Sequence, residues 1–515
     1  MDASRQDEVE RKYDVGTSTV LPILTDLDGV SRVGQSTETR LVAVYFDTSN
    51  LDLARRGITL RRRTGGYDEG WHLKLPRGSK DTRTEVRLPS GRATETVPVQ
   101  LLTPVRAVVR DRPLAPVARL STRRLEYELF GSDATVLAQV CDDEVHAERL
   151  HGAAKVEDWR EWEVELVHGD RRLMEGVEQR LLEAGAVPAS VSSKLRRALG
   201  VVAPQTPAGR ASPKQLSRGS AGQLVVAHLA GQIEQLHEQD ARLRAGRRGS
   251  IHKLRIAVRR LRSALKTYRP LLASHSVDAV SGVGEELRWL GQVLSPARDA
   301  QVMRERLRRL VAAEPVELVL GPVSQRIDDD LSAAFRAGRE QALEALETER
   351  YYRLLDALDD LVECPPFAGT AQAWAGDVLP GLLQRDAKRL RRAVRNIDRA
   401  DSRQDHDAAL HDARKKAKRL RYAAESAIPL FPARAKKLAA AAKRVQEALG
   451  EHQDAVLARH KLREYGAQTH LSGENGFTFG RLHALEQVHA DHAERRFVEA
   501  WDRLPRKKLR TWLRS

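Results

Sequence analysis

Near its start, this 515-residue chain carries the stretch Glu8-Val9-Glu10-Arg11-Lys12, in which charged side chains recur at alternate positions. On a β-strand successive side chains leave opposite faces, so Glu8, Glu10 and Lys12 would share one face. A single stretch of this type is usually a solvated strand face. Here it begins an ordered series of alternating charged segments that continues to about residue 200, and that series predicts the fold of the region.

The region is rich in short alternating segments, which Gly, Asp, Pro and Ser separate, as expected for an antiparallel β meander. Two helical patterns, at residues 170–184 and 189–199, interrupt it. The alternating segments are residues 39–46, 58–63, 71–75, 83–88, 120–130, 135–141 and 159–167.

Several segments collect charge on one face. Glu163 and Glu165 share a face opposite Val164, and Arg61 and Arg63 share another. Closing such a sheet gives a barrel with a polar interior and a covered outside. Arg and Lys neutralise phosphate oxygens. Carboxylates in the same cavity would repel phosphate, so the mixture indicates a bridging Mg²⁺ or Mn²⁺, which accepts carboxylate, phosphate and water ligands together.

Charged motifs follow one another in order along this region. They are Glu8-Val9-Glu10-Arg11-Lys12, Tyr45-Phe46-Asp47-Thr48, Leu60-Arg61-Arg62-Arg63, His72-Leu73-Lys74, Arg83-Thr84-Glu85, Thr122-Arg123-Arg124, Asp142-Asp143, Glu161-Trp162-Glu163-Val164-Glu165 and Ser193-Lys194-Leu195-Arg196-Arg197. This set resembles the CYTH family of triphosphate tunnel metalloenzymes over about residues 5–200. The resemblance implies an eight-stranded antiparallel tunnel barrel with flanking helices, which binds a triphosphate with divalent metal and often hydrolyses it.

Carried over motif by motif, the resemblance implies three groups of site residues. The metal ligands would be Glu8, Glu10, Glu85, Asp143, Glu163 and Glu165. The triphosphate contacts would be Lys12, Arg61, Arg63, Lys74, Arg124 and Lys194. The catalytic residues would be Glu163, Glu165 and Lys12. Two positions stay open, because a slip of one residue reverses which neighbour points inward. Arg123 could replace Arg124, and Asp142 could replace Asp143.

The rest of the chain has a different period. Residues 201–222 are rich in Pro, Gly, Ser and Ala and are interpreted as a linker. From residue 223 onward apolar residues recur at three and four positions, which indicates helices. The pattern His252-x-x-Arg255-x-x-x-Arg259-Arg260-x-Arg262 recurs 159 residues later as His411-x-x-Arg414-x-x-x-Lys418-Arg419-x-Arg421. The repeat predicts two tandem helical bundles, at about residues 223–345 and 367–505.

Each repeated helix has one basic and one apolar face. At about 100° per residue, the basic residues of the first copy lie within an arc of roughly 80°, and the second copy gives the same wheel. Solvated faces normally interleave Glu with Lys or Arg, but neither of these faces contains an acid. A duplicated, acid-free stripe predicts a site for an extended polyanion.

The repeats resemble the CHAD domain over about residues 220–505. The stretches Leu290-Gly291 to Arg298-Asp299 and Leu449-Gly450 to Asp454 also fit, although the second copy has Gln453 instead of an Arg before its Asp. The resemblance implies an all-α domain of two four-helix bundles that binds inorganic polyphosphate. The polyphosphate contacts would be His252, Arg255, Arg259, Arg260, Arg262, Arg298, His411, Arg414, Lys415, Lys418, Arg419 and Arg421.

Composition limits the alternatives. The formal charge of +16, from 87 Lys and Arg against 71 Asp and Glu, indicates a polyanionic partner. Aromatic content of 5% disfavours recognition of single-stranded nucleic acid. Only Cys141 and Cys364 are present, which excludes a disulfide framework and a zinc site built on paired cysteines. Apolar runs long enough to span a membrane are absent from the sequence, so we expect a cytoplasmic protein, associated with polyphosphate granules.

The sequence therefore predicts a multidomain α+β protein: a metal-dependent triphosphatase, acting on inorganic triphosphate and joined to a polyphosphate-binding module. The alternative is a non-catalytic polyphosphate-binding or granule-targeting protein, and nucleic-acid binding is a third hypothesis. Tripolyphosphate, a nucleoside triphosphate and thiamine triphosphate stay open as substrates, and so does the oligomeric state.

Overall fold

The computed structural model describes residues 4–77, 79–90, 96–191, 193–200 and 212–504. The chain forms two compact units, Met1–Thr206 and Pro207–Ser515. Of the predicted linker, residues 201–211 lie outside the described residues. The remainder is largely helical, because Ser212 and Ser220 each form a capping box at the start of a helix.

Antiparallel strands dominate the first unit. They are β1 Ser4–Val15, β2 Arg32–Val33, β3 Thr37–Asp47, β4 Thr59–Thr64, β5 Gly70–Arg77, β6 Ser79–Pro89, β7 Ala115–Phe130, β8 Val136–Arg149, β9 Lys155–Leu166 and β10 Val187–Pro188. The helices between and after them are α1 Asp52–Arg55, α2 Val99–Leu102, α3 Arg106–Val109, α4 Arg171–Glu183 and α5 Lys194–Leu199.

Eight of these strands close into a barrel. They are neighbours in the order β1, β6, β5, β4, β3, β7, β8 and β9, and β1 also pairs with β9. Closure uses the length of β1: positions 4–9 pair with β6, and positions 9–15 pair with β9. The predicted eight-stranded antiparallel barrel is thereby confirmed.

Apolar side chains cover the outside of the barrel. Trp162 and Val164 of β9 are fully buried in a cluster with Val177 of α4. On another side, Trp71 of β5 is buried in a cluster with Leu101 of α2. Because Trp162 and Val164 alternate with the acidic residues of β9, the same strand that packs outward presents its carboxylates inward.

Helix α5 packs against the inner face of the barrel. Val145 lies two residues from Asp143 and therefore on the same strand face, and Leu195 of α5 packs in the cluster that contains Val145. Ser193 caps this helix by accepting a hydrogen bond from the backbone N–H of Arg196. The cap places Lys194, the first helical residue, beside the interior carboxylates.

The second unit is helical. Its helices are α6 Pro213–Arg218, α7 Ala221–Arg244, α8 Ser250–Tyr268, α9 Val277–Val293, α10 Ser295–Ala312, α11 Val323–Ala345, α12 Glu349–Glu363, α13 Ala375–Ile397, α14 Arg403–Ser426, α15 Pro432–Leu471 and α16 Phe477–Asp502. Among the described residues, none of these helices combines the length and the apolar character that a membrane span requires.

The two repeats differ at one helix. In the first, α9 ends at Val293 and α10 begins at Ser295, with Pro296 at its start, whereas the second has the single 40-residue helix α15. Asp299 follows its Leu-Gly pair at a longer spacing than Asp454 does. The additional residues between Gly291 and Asp299 contain Pro296, and the helix is interrupted there because proline cannot donate a helical hydrogen bond.

The helices pack in groups that do not follow the order of the repeats. Helices α8 and α12 each contact both α7 and α9. Helices α10 and α11 share a hydrophobic cluster with α15 and α16, in which Leu307, Ile327, Leu462 and Phe479 are buried. The division of the helical unit into two repeats, at about residues 223–345 and 367–505, stays a prediction.

Candidate functional site

Charged side chains of both signs line the inside of the barrel, and the strand register places many of them opposite one another. Lys12 of β1 lies across from Glu163 of β9, and Lys74 of β5 lies across from Glu85 of β6. Directly opposed residues have Cβ atoms only about 4.5–5.5 Å apart, so these pairs interact strongly. The alternation seen in the sequence therefore places opposite charges next to one another across neighbouring strands.

One group of interior carboxylates surrounds Lys74. Its Nζ lies 2.6 Å from Oε2 of Glu8 and 3.6 Å from Oε2 of Glu10. Glu85 Oε1 lies 4.0 Å from the same nitrogen. Arg87 adds a second cation, with Nη2 at 2.9 Å from Oε1 of Glu8. We name Lys74 and these three carboxylates the Lys74 group.

A second group of carboxylates surrounds Lys194. Its Nζ lies 2.8 Å from Asp143, 2.8 Å from Glu161 and 2.6 Å from Glu163. Arg124 donates two hydrogen bonds to Asp143, at 2.7 and 2.6 Å, and one to Glu163, at 2.7 Å. These charge-assisted, bidentate contacts fix the carboxylates firmly. We name Lys194 and its three carboxylates the Lys194 group.

Lys12 connects the two groups. Its ammonium contacts Glu163 of the Lys194 group and lies 3.5 Å from Oε2 of Glu10 in the Lys74 group. The interior thus contains an alternating path of charge that runs Lys194, Glu163, Lys12, Glu10 and Lys74. Every one of these residues was predicted as part of the site, and the structure brings them all together.

Burial and neighbouring charges give the interior carboxylates different proton affinities. Burial raises the pKa of Glu8 to about 7, although Lys74 lowers it. Burial also opposes ionisation of Glu10, but Lys12 and Lys74 outweigh it and lower that pKa to about 2. Burial opposes ionisation of Glu163 too, yet Lys12 and other cations hold its pKa well below its usual range. Ionised acids and an acid that titrates near neutrality therefore lie side by side.

The Lys194 group has a donor set that fits a divalent cation. Asp143, Glu161 and Glu163 each offer one oxygen, and these oxygens all lie within 4.8 Å of one another. Carboxylate oxygens are the ligands that Mg²⁺ and Mn²⁺ prefer. In this structure the ammonium of Lys194 supplies the neutralising charge among the same oxygens.

The direction of the side chains resolves the two open positions. Arg124 lies inside the barrel with Asp143, whereas Arg123 forms exposed ion pairs with acids of neighbouring strands. Asp142 accepts two hydrogen bonds, at 2.8 and 2.7 Å, from Arg160 and does not join the interior groups. Arg124 and Asp143 are therefore the inward-facing members of the two pairs.

Arg61 and Arg63 contribute to the interior at β4. Arg61 lies opposite His72 of β5 and donates a hydrogen bond of 3.3 Å to the hydroxyl of Tyr45. In the described part of the chain, Arg61 has no ion pair with a carboxylate, so its charge is available to a ligand. Arg63 instead contacts Asp68 in the turn that follows β4.

Sequence reasoning missed three interior residues. Arg83 lies 3.5 Å from Glu10, Arg87 contacts both Glu8 and Glu85, and Glu161 belongs to the Lys194 group. The signal that could have found them is the alternation itself. Arg83 and Arg87 flank Glu85 at spacing two, and Glu161 precedes Glu163 at the same spacing.

In the second unit, α8 and α14 bring corresponding positions of the repeats together. Lys418 of α14 is half-buried, and burial, Arg414 and Arg259 lower its pKa to about 7. Arg259 also lowers the pKa of Arg414, for which burial is the larger cause. Cations from two different helices therefore face one another where the repeats meet.

Acids from other helices reach the basic faces. Arg255 lies 2.8 Å from Asp299 of α10, and the equivalent Arg414 lies 3.9 Å from Asp454 of α15. The sequence predicts that both basic faces are free of acids, but each receives one carboxylate from a neighbouring helix, and in α14 Arg421 also pairs with Glu425 of its own helix. The inserted residues before Asp299 do not abolish this symmetry.

Arg260 and Arg419 tie the repeats to each other. Arg260 of α8 lies 2.8 Å from Glu425 of α14. Arg419 of α14 lies 2.9 Å from the buried Asp386 and donates a 3.2 Å hydrogen bond to Thr267 of α8. Although both were predicted as polyphosphate contacts, these contacts give both arginines a clear role in joining helices.

The other predicted cations have varied surroundings. Arg421 lies 2.7 Å from Glu425, and Lys415 is exposed and 3.7 Å from Asp412. His411 is hydrogen-bonded at 2.9 Å to Gln453, the residue that stands where the first repeat has an Arg. We use the name central basic surface for His252, Arg255, Arg259, Arg262, Arg298, His411, Arg414, Lys415 and Lys418.

Comparison with known proteins matches both units. A CYTH domain model matches residues 6–199, and a CHAD domain model matches residues 227–463. The chain belongs to the CYTH–CHAD family. An uncharacterised protein found in two strains of Mycobacterium tuberculosis is 41% identical over 510 residues, which covers 96% of this chain and 94% of the relative. The CYTH domain is that of the triphosphate tunnel metalloenzymes.

Solved structures are similar to parts of this CYTH–CHAD protein. PptA from Streptomyces chartreusis aligns with a TM-score of 0.46 and 21% identity, over 55% of this chain and 100% of that one. The CHAD domain from the plant Ricinus communis aligns with a TM-score of 0.39 and 21% identity, over 58% of this chain and 93% of that one. At this level the likeness assigns no function.

Proposed function

We propose that the CYTH tunnel is a divalent-metal-dependent triphosphatase that acts on inorganic triphosphate, and that the CHAD domain binds inorganic polyphosphate. The observation that carries the first part is the alternating path of charge inside a closed barrel. Burying many charges is costly, and removing one partner of such a pair is strongly destabilising. A phosphate ligand accompanied by divalent cations matches that path, because its oxygens would contact the lysines and its cations would contact the carboxylates.

The cations of the tunnel would bind the triphosphate. Lys12, Lys74 and Lys194 come from three different elements, and Arg61 adds a guanidinium without a carboxylate partner among the described residues. Lysine ammonium groups bind phosphate as point charges, whereas arginine can donate two parallel hydrogen bonds. Cations on several strands would hold the substrate lengthwise, which suits in-line attack on a terminal phosphoryl group.

The carboxylates would hold Mg²⁺ or Mn²⁺. Asp143, Glu161 and Glu163 would supply one donor set, because their oxygens lie within 4.8 Å of one another. The acids of the Lys74 group, which the resemblance also implies as ligands, would supply a second. When bound, such a cation polarises phosphoryl oxygens as a Lewis acid. Glu165 lies opposite Glu10 on β1, and burial raises its pKa, so this carboxylate is suited to accept the proton of an attacking water.

Phosphate release from tripolyphosphate in the presence of Mg²⁺ or Mn²⁺ tests the tunnel. Asp143→Asn should lower the rate at least about 100-fold, the upper end of the cost of losing even an outer-shell metal partner. Glu144→Gln is the matched control, because Glu144 is exposed on the same strand and pairs outward with Arg123. Tight binding of tripolyphosphate without turnover by the metal-loaded protein would support the non-catalytic alternative instead.

The central basic surface is the proposed polyphosphate site. The observation that supports this site is that Arg259 and Arg414 lie near Lys418. Together with burial, these two cations lower the pKa of Lys418 to about 7. Arg259→Ala with Lys418→Ala should abolish most binding, whereas Lys436→Ala with Lys437→Ala removes the same charge from an exposed part of α15 and should not. Displacement of polyphosphate by duplex DNA at equal phosphate concentration would identify nucleic acid as the partner.

Cytoplasmic location and granule association stay predictions.

A further inference from the structure

A cavity of about 310 Å³ lies at the C-terminal end of α8, beyond the central basic surface. It is lined by Lys266, Thr267, Arg269, Pro270, Val277, Arg385 and Arg389. Its volume is at the lower end of the range for ligand sites, roughly 300–1,000 Å³. Four of its seven lining residues are cations from α8, the turn that follows it and α13, which indicates an anionic ligand.

The cations of this cavity are only partly neutralised. Among the described residues, Lys266, Arg269 and Arg385 form no ion pair with a carboxylate. Arg389 lies 2.8 Å from Asp386, which is buried. Because Asp386 also accepts hydrogen bonds or ion pairs from neighbouring helices, it has little capacity left to neutralise the other three.

Lys266 continues the basic stripe of α8. Positions 252, 255, 259, 262 and 266 are separated by three or four residues, so they lie along one side of the helix. Burial lowers the pKa of Lys266, and Arg262 is the next largest cause, which places the two charges close together. An α-helix rises about 1.5 Å per residue, so Arg255 and Lys266 lie roughly 16 Å apart along the helix axis. A linear polyanion on the central basic surface can therefore extend into the cavity.

The second repeat lacks this extension. The residue that corresponds to Lys266, 159 positions later, is Glu425. Glu425 lies 2.7 Å from Arg421 and 2.8 Å from Arg260, so it neutralises the stripe of α14 and ties it to α8. The basic surface therefore continues through Lys266 at the end of α8, whereas at the end of α14 Glu425 neutralises it.

We propose that this cavity, which we name the end cavity, binds the terminal phosphates of a polyphosphate chain whose following phosphates lie on the central basic surface. A terminal phosphate has more free oxygens than an internal one and can accept the paired hydrogen bonds of an arginine. Of the arginines that line the end cavity, Arg269 and Arg385 have no carboxylate partner among the described residues. The proposal rests on polyphosphate binding by the CHAD domain and assigns a direction to the bound polymer.

Calorimetric titration of the full-length protein with long-chain polyphosphate, in EDTA to prevent hydrolysis, tests the proposal. Arg269→Ala with Arg385→Ala should weaken binding about tenfold or more, because each charged hydrogen bond contributes on that order. Lys266→Glu, which gives the first repeat the residue of the second, should weaken it similarly. The matched control is Lys388→Ala with Arg392→Ala, two exposed cations of α13 that do not line the cavity.

Polyphosphate with both ends blocked as phosphoramidates separates an end site from a site for the chain interior. The wild-type protein should bind blocked polyphosphate as weakly as the Arg269→Ala, Arg385→Ala variant binds the unblocked polymer. Equal binding of blocked and unblocked chains would overturn the end assignment. If Arg259→Ala with Lys418→Ala abolishes binding and the cavity variant binds like wild type, only the end cavity is wrong. If the wild-type protein binds no polyphosphate, the proposed CHAD function itself fails.

Discussion

At the scale of single residues, the tunnel gives identical side chains different properties. Glu8 and Glu10 leave the same face of β1 two residues apart, yet burial raises the pKa of Glu8 to about 7, while Lys12 and Lys74 bring that of Glu10 to about 2 against the effect of burial. The charged neighbours decide the difference, because Glu85 and Glu165 oppose ionisation of Glu8, whereas Lys12, Lys74 and Arg83 favour that of Glu10. Because most of these neighbours lie on other strands, single positions have predictable roles only once the register is known.

The ammonium of Lys194 should be a main source of stability in the metal-free tunnel. Lys194→Met leaves three close carboxylates without their shared cation, and breaking a buried ion pair costs about 3 kcal/mol or more. Urea unfolding in EDTA measures that loss. Mg²⁺ should restore more stability to this variant than to the wild-type protein, because the cation can replace the missing charge.

Lys155→Met provides the control for that experiment. Lys155 is exposed on β9 and pairs at 2.6 Å with Glu157, so its loss should change the free energy of unfolding by less than about 1 kcal/mol. Equal losses in the two variants, or no extra stabilisation of Lys194→Met by Mg²⁺, would contradict the assignment of the Lys194 group as a cation site.

Lys418 should make polyphosphate binding pH-dependent. Burial, Arg414, Arg259 and Arg255 lower its pKa, Asp454 raises it, and the net value is about 7. A bound polyanion favours the charged ammonium and raises the pKa, so binding takes up a proton. Affinity should therefore fall as pH rises above 7, by at most about tenfold per pH unit. Titration calorimetry at pH 6, 7 and 8 measures the trend.

The variant Lys418→Arg isolates this contribution, because an arginine stays charged throughout the same range. Ionisation of the polymer itself affects both proteins equally. The wild-type protein should lose affinity between pH 7 and 8 more steeply than the variant. An identical slope in the two proteins would show that another group causes the pH dependence.

At the scale of whole elements, local alternation predicted more than long-range packing. The strand period placed Arg124 and Asp143 among the candidates for the barrel interior, but it could not choose them over Arg123 and Asp142, since a shift of one residue exchanges the two faces. Glu161 was missed for a different reason: it lies two residues before Glu163 and therefore on the same strand face, but that spacing was not used. The contact of Glu161 with Lys194 shows that it joins Glu163 on the inner face.

Among the helices, the ion pairs that join the repeats could not be predicted from the sequence. Arg306 of α10 donates two hydrogen bonds, both 2.6 Å long, to the buried Glu486 of α16. These residues are 180 positions apart, and helical periodicity reports only which residues share a face of one helix. For the same reason the sequence indicated basic faces without showing that Asp299 and Asp454 reach them.

Loss of the Arg306–Glu486 pair should destabilise the helical unit. Glu486→Ala leaves a guanidinium in a buried site with only the more exposed Glu451 as partner, so unfolding followed by far-ultraviolet circular dichroism should show a loss of about 3 kcal/mol. The double variant Arg306→Met with Glu486→Met should lose less, because it leaves no unpaired charge. Glu499→Ala, on an exposed face of α16, should have little effect.

At the scale of the whole molecule, the net charge of +16 conceals two arrangements. In the barrel, acids and bases alternate and neutralise one another, which suits a phosphate ligand accompanied by metal. In the helical unit, cations of α8 and α14 meet with few carboxylates, which suits a polymer bound without metal. Joining the two sites in one chain raises the effective concentration of polymer at the tunnel, by an amount that the connecting segment determines.

This coupling predicts different effects on short and long substrates. Arg259→Ala with Lys418→Ala removes the two neighbouring cations by which α8 and α14 contribute to the middle of the central basic surface, and it leaves the tunnel residues unchanged. At substrate concentrations below saturation, we expect phosphate release from long-chain polyphosphate to fall about 10- to 100-fold, because capture by the second site is lost. The rate with tripolyphosphate, which we expect to need only the tunnel, should change less than about twofold. If both rates fall together, the helical surface contributes to the tunnel in another way; if neither falls, the two sites act independently.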